Sequence, residues 1–132
     1  MEDVMFKGVN ILIAEDSEIN YFLLKEFLVP TGANHFWAKN GLEAIEILNK
    51  NENILLILMD ISMPTMDGIT ATRKIREKKI NIPIIFQTAF DTNDNKEECL
   101  KAGGNDFLSK PLSKDRIYSV IKKYLTEIQS DM

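Results

Sequence analysis

An α/β fold built from five strand–helix units around a parallel sheet is predicted by three features of the sequence. Short apolar runs alternate with segments of helical periodicity along the whole chain, the pattern of parallel strands joined by helical crossovers. One run, ILLILM at 54–59, is continuously apolar, as a strand buried on both faces must be. Gly, Pro and Asn punctuate the joins, at Pro30-Thr31-Gly32, Asn40-Gly41, Asp67-Gly68 and Gly103-Gly104.

Each element follows in order. Val9–Ala14 reads as the first strand, and after Glu15-Asp16 the N-cap Ser17 opens a helix with Leu23, Leu24, Phe27 and Leu28 inward, ending before Pro30. Asn34–Ala38 is a shorter second strand, and Asn40-Gly41 opens a helix with Ala44, Ile45 and Leu48 buried. The third strand runs through ILLILMD at 54–60, and Gly68–Glu77 is a helix with Ile69, Thr72 and Ile75 inward. Pro83–Thr88 is the fourth strand, and Thr92–Ala102 is a helix stopped by the glycine pair. Phe107–Lys110 is the fifth strand, ending at Pro111; Ser113 then caps a helix with Ile117, Val120, Ile121, Tyr124 and Ile128 on one stripe. No linker, repeat or low-complexity segment interrupts this series, so residues 1–132 read as a single domain with its core at about 9–128.

Composition excludes several function classes. The 132 residues are 45% apolar and 27% charged with net charge -4, and Lys and Arg are dispersed, which argues against direct nucleic-acid binding. No apolar run approaches the roughly 18 to 20 residues of a membrane span. The N-terminal MEDVMFKGVN does not read as a secretory signal. One cysteine, Cys99, leaves no disulfide within the chain and, with the N-terminus, favours a reducing, intracellular compartment; with one histidine, His35, it leaves no Cys/His zinc set.

In an open α/β sheet, ligands bind at the carboxyl ends of the strands. Here those ends carry Glu15-Asp16, Asp60, Thr88 and Lys110: three acids, a hydroxyl and an amine at one edge. Clustered carboxylates raise one another's pKa and are costly unless a cation sits among them. Oxygen-only ligands favour a hard ion such as magnesium, which keeps several waters and accepts phosphate oxygens. Lys110 would supply compensating positive charge, Thr88 a donor to a phosphoryl oxygen, and Asp60 a nucleophile able to form an aspartyl phosphate.

The stretches ILIAEDSEIN, ILMDISMPTMDG, IIFQTA and DFLSKPL, in this order over nearly the whole chain, resemble the motif blocks of response-regulator receiver domains of two-component phosphorelay signalling. The resemblance implies a doubly wound, flavodoxin-like fold with five parallel strands in the order 2-1-3-4-5 and helices on both faces. It makes Asp60 the phosphoacceptor, and Glu15, Asp16, Asp60 and the backbone carbonyl of Ser62 a site for Mg2+ or Mn2+. Thr88 and Lys110 take phosphate-sensing roles, Phe107 falls at the switch aromatic, and Lys110-Pro111 falls where receivers carry a cis peptide. Ser62 and Phe90 occupy positions that influence dephosphorylation in receivers.

The implied partner is a histidine kinase or a histidine phosphotransfer domain. Read-out to a downstream partner or a homodimer would run through the face of helix four, strand five and helix five. EDSEIN with DISMPTMDG is most similar to receivers of hybrid histidine kinases, so the domain would be cytoplasmic, including as part of a membrane-anchored hybrid kinase. Such a domain is a signalling switch rather than an enzyme, catalysing only its own phosphorylation and dephosphorylation.

Other readings fit less well. A haloacid-dehalogenase-like phosphatase would place its nucleophile after the first strand and pair it as Asp-x-Asp, whereas the position two beyond Asp60 is Ser62. A receiver reduced to docking would have lost Asp60, Asp16 or Lys110, and a flavodoxin would need a Ser/Thr-rich phosphate loop after strand one. His35, inside a strand, reads as structural; Cys99 reads as a small buried hydrophobe, Trp37 as packing at the end of strand two, and Met59, Met63 and Met66 as core and loop filling.

Overall fold

The computed structural model describes residues 5–88 and 93–130. Strands β1 (Asn10–Ala14), β2 (Asn34–Ala38), β3 (Ile54–Asp60), β4 (Ile84–Thr88) and β5 (Asp106–Ser109) form one parallel sheet in the order β2-β1-β3-β4-β5. Helices α1 (Glu18–Leu28), α2 (Gly41–Lys50), α3 (Gly68–Glu77), α4 (Asn93–Ala102) and α5 (Lys114–Ser130) alternate with the strands. The five predicted units and the strand order are therefore those observed. Thr92 and Phe90, and the side chain of Ile128, lie outside the described residues.

Two apolar layers hold the sheet. Leu12, Ile57, Met59, Ile84 and Phe86 face α2, α3 and α4, packing on Ala44, Ile45, Ile75 and Cys99. The alternate residues Ile11, Ile13, Leu56, Leu58 and Ile85 face α1 and α5, packing on Leu24, Leu28, Ile117 and Ile121. This is why β1, β3 and β4 read as continuous apolar runs: every side chain in their middle meets a helix.

Ser17 and Ser113 cap their helices as the sequence suggests, and Asn40 and Asp67 cap two more. Ser17 Oγ accepts from Asn20 N (3.3 Å), Asn40 Oδ1 from Glu43 N (2.9 Å), Asp67 Oδ1 from Thr70 N (2.7 Å) and Ser113 Oγ from Arg116 N (3.1 Å).

Three local expectations are corrected. The inward stripe of α1 is Tyr21, Leu24 and Leu28, with Leu23 exposed. Tyr21 is drawn in by Trp37 on the edge strand, against which its ring stacks at 3.8 Å and 3°. Phe27 remains only partly buried against the same layer. Within β3 Leu55 is exposed: β1 pairs Asn10 with Ile54 and then Ile11 with Leu56, so Leu55 is the extra residue of a bulge. The fourth strand starts one residue late and the fifth is displaced by one residue. Pro83, lacking an N–H, only offers its carbonyl to Ile57 N (2.9 Å), so β4 starts at Ile84. Asp106 pairs with Ile85, so β5 starts one residue before Phe107 and ends at Ser109.

His35 Nε2 and the Tyr21 hydroxyl lie 2.8 Å apart, tying β2 to α1, and Cys99 of α4 is buried in the apolar layer.

Candidate functional site

Parallel strands bring their carboxyl ends to one edge, and register decides which residues stand side by side. β1 and β3 pair Ala14 with Met59, β3 and β4 pair Asp60 with Gln87, and β4 and β5 pair Thr88 with Ser109. Glu15 and Asp60 are thus level on neighbouring strands, with Asp16 one residue further out. One carboxylate oxygen from each of Glu15, Asp16 and Asp60 lies within 4.8 Å of the others. Glu15 and Asp60 are buried and Asp16 is exposed, so the cluster is sunk into the edge and open above.

The charge is partly offset from the far strand. Lys110 Nζ lies 3.2 Å from Glu15 Oε1 and 3.4 Å from Asp60 Oδ2. Ser17 N donates to Glu15 Oε2 at 3.2 Å. These contacts do not outweigh burial: desolvation, then the hydrogen bond and repulsion from Asp60, push the Glu15 carboxyl up to about 7, against the opposing pull of the Ser17 N–H and Lys110. The site as it stands favours a proton or a cation on its acids. Its donor set is all oxygen, which suits a hard divalent ion better than a soft one.

Asp60 is mounted from both sides. A Cβ at Gly68 would collide with the Asp60 carbonyl oxygen, so only glycine lets the start of α3 lie against the strand end; Gly68 N donates to Ile61 O at 2.8 Å. Gly41 N likewise bonds Met66 O (2.8 Å), anchoring the intervening loop to the start of α2. Within that loop Ser62 is exposed and borders an open groove with Asp16, Met63, Pro64, Asp67 and Glu98. A separate cleft at the opposite edge, lined by Asn10, Asn49, Asn51 and Asn53, holds none of the predicted site residues.

Thr88 is buried at the end of β4, and its carbonyl accepts from Lys110 N at 2.7 Å. Phe107 pairs with Phe86 and packs against the layer under α3 and α4. Thr88 follows Phe86 at i+2, so Phe107 and the Thr88 side chain share one face of the sheet. The Lys110–Pro111 peptide is cis. Glu15, Asp16, Asp60, Ser62, Thr88, Phe107 and Lys110 thus lie at this edge or on the strands that lead to it, whereas His35 and Cys99 do not.

Two neighbours of the cluster went unrecognised. Trp37 Nε1 donates to the Glu15 carbonyl at 2.8 Å, a contact that only the adjacency of β1 and β2 creates. Gln87, level with Asp60, is fully buried with neither side-chain nitrogen nor oxygen hydrogen-bonded among the described residues. Its signal was present: it is the polar residue inside the apolar run PIIFQT.

Residues 11–122 match the family model for the response regulator receiver domain. Among curated proteins, the osmosensing histidine protein kinase SLN1 of Saccharomyces cerevisiae is 35% identical over 128 residues, covering 92% of this chain and 10% of the relative. The sensor histidine kinase RcsC of Escherichia coli is 34% identical over 119 residues, covering 90% and 12%. The chain thus spans about a tenth of the length of these relatives. Among solved structures, the receiver domain of sensor histidine kinase PA1611 from Pseudomonas aeruginosa PAO1, with a magnesium ion coordinated in its active site cleft, is 31% identical with a TM-score of 0.83, covering 90% of this chain and 98% of that one.

Proposed function

The chain belongs to the response regulator receiver domain family, a signalling domain of two-component systems, and from this premise we propose that it is a phosphoacceptor switch that takes a phosphoryl group onto Asp60. The observation that carries the reading is the gathering of Glu15, Asp16 and Asp60 within 4.8 Å, with Lys110 reaching two of them. In the reaction an Asp60 carboxylate oxygen attacks the phosphorus of a donor phosphohistidine, the P–N bond breaks, and the imidazole departs with the bonding pair. Lys110 neutralises charge on the transferred group, and the Thr88 hydroxyl binds one of its oxygens.

Glu15, Asp16, Asp60 and the Ser62 carbonyl would hold magnesium or manganese, which when bound offsets the negative charge of the carboxylates and phosphoryl oxygens. The acids of this chain fit such an ion, since a carboxylate oxygen from each of the three converges within 4.8 Å and the donors are all oxygen. Residues 1–132 act as one receiver domain with its core at about 9–128. The donor is a histidine kinase or a histidine phosphotransfer domain, and the response is read on the face of α4, β5 and α5. The similarity to hybrid kinases supports a receiver working within a larger kinase at the cytoplasmic side; among the described residues no helix is long and apolar enough to cross a membrane.

Intact-mass measurement after incubation with acetyl phosphate and magnesium tests this directly. One added phosphoryl group is expected, lost in Asp60→Ala; persistent labelling of that variant would move the nucleophile elsewhere.

A further inference from the structure

β1 ends at Ala14, and the backbone ladder to β2 ends just beyond it, with Glu15 N donating to Ala38 O at 2.9 Å. The Glu15 carbonyl then receives its hydrogen bond from a side chain, the Trp37 indole Nε1 at 2.8 Å, which extends the ladder by one rung beyond its last backbone donor. The indole is itself fixed: it stacks on Tyr21 at 3.8 Å and 3°, Lys39 Nζ lies 5.1 Å from its centroid, and the Tyr21 hydroxyl is held by His35. One side chain therefore links edge strand, first helix and the loop that carries two of the three clustered acids.

The carbonyl of Glu15 and the N–H of Asp16 belong to the same planar peptide, so fixing one fixes the other. Glu15 has further anchors in Ser17 N and Lys110. Asp16 is exposed and its carboxylate has no hydrogen bond or ion pair among the described residues, so no side-chain contact holds it and the Glu15–Asp16 backbone sets the point from which it reaches the cluster.

We propose that Trp37 is a positioning residue for the cation site: its hydrogen bond to the Glu15 carbonyl orients the Glu15–Asp16 peptide so that the Asp16 carboxylate stays with those of Glu15 and Asp60. The inference rests on reading that cluster as a magnesium site. It assigns function to a residue whose sequence position suggests only packing.

The test is a magnesium titration of the whole chain, followed by amide resonances at Asp16 and Asp60 and by the indole N–H resonance, which is unambiguous because Trp37 is the sole tryptophan. In the wild type all three should shift saturably with one dissociation constant, and Asp16→Asn should abolish the shifts. Trp37→Phe keeps an aromatic ring for Tyr21 but removes the donor. Its magnesium dissociation constant should rise about tenfold, the lower end of what losing an outer partner of a metal ligand costs. Tyr21→Leu keeps the donor but releases the ring, and should weaken binding in the same direction by less; it decides the matter if Trp37→Phe does not fold. A merely structural role would lower the melting temperature and leave the dissociation constant of the folded variants unchanged, and that result overturns the proposal while leaving the magnesium site standing. Absence of any saturable shift in the wild type would remove the site itself, and the proposal with it.

Discussion

Lys110 Nζ lies 3.2 Å from Oε1 of the fully buried Glu15, so a cation from the end of β5 is paired with an acid from the end of β1. Without a metal it is the one cation in contact with the cluster among the described residues. Removing one partner of a buried pair costs about 3 to 5 kcal/mol, and Lys110→Met should destabilise the metal-free protein toward the lower end of that range because Lys110 keeps some exposure. Magnesium at about 100 times its dissociation constant should stabilise the wild type by roughly 2.7 kcal/mol, and the variant by at least as much. Thermal melts with EDTA and with millimolar magnesium check both; a melting temperature indifferent to magnesium would count heavily against the site.

The raised pKa of Glu15 makes a signed prediction for pH. The folded state holds this proton up to about 7 whereas the ordinary value is 4.5, so between these limits the folded protein binds more protons than the unfolded chain. Stability of the metal-free protein should therefore fall as pH rises through this window, by an amount on the order of 3 kcal/mol. His35, whose pKa is lowered by burial and Lys25, contributes the opposite slope. The difference between wild type and Glu15→Gln isolates the Glu15 part: urea midpoints in EDTA should decline with pH more steeply in the wild type.

Phosphorylation and response should be separable at Thr88. Thr88→Ala keeps Asp60, the other acids and Lys110, so it should still be labelled by acetyl phosphate. What it loses is a hydrogen bond to a charged group, worth about 1.5 to 3 kcal/mol, which biases the equilibrium only through its difference between the two states. The active-to-inactive ratio should drop roughly 10-fold or more, and phosphorylation-induced amide shifts at residues 96–124 should shrink. Shifts of wild-type size would reduce Phe107 to packing.

The Gln87 side chain, without a hydrogen-bond partner among the described residues, predicts a stability cost that substitution removes. A buried amide with no partner costs about 1 to 3 kcal/mol, while an apolar group of the same shape escapes that penalty. Gln87→Met should therefore raise the unfolding free energy by about 1 to 3 kcal/mol, seen as a higher urea midpoint with an unchanged slope, which shows that the folded and unfolded surfaces are the same. A lower midpoint would mean that the amide is satisfied in solution.

The sequence by itself determined the five units, their order along the chain and the acids, hydroxyl and amine that end the strands. Apolar runs such as ILLILM and caps such as Ser17 and Ser113 act within a few residues, and local signals of that kind are readable one segment at a time. The family motifs then supplied strand order, which periodicity alone leaves open. Only the tertiary structure decided what crosses between strands. Trp37 reaches the Glu15 carbonyl because β2 lies beside β1, Leu55 is expelled because the β1–β3 register slips at Asn10/Ile11, and Tyr21 displaces Leu23 from the buried stripe because a ring on the edge strand is there to receive it. Each depends on a partner 16 or more residues away, whose position is fixed by sheet registry and helix packing together rather than by the residues on either side.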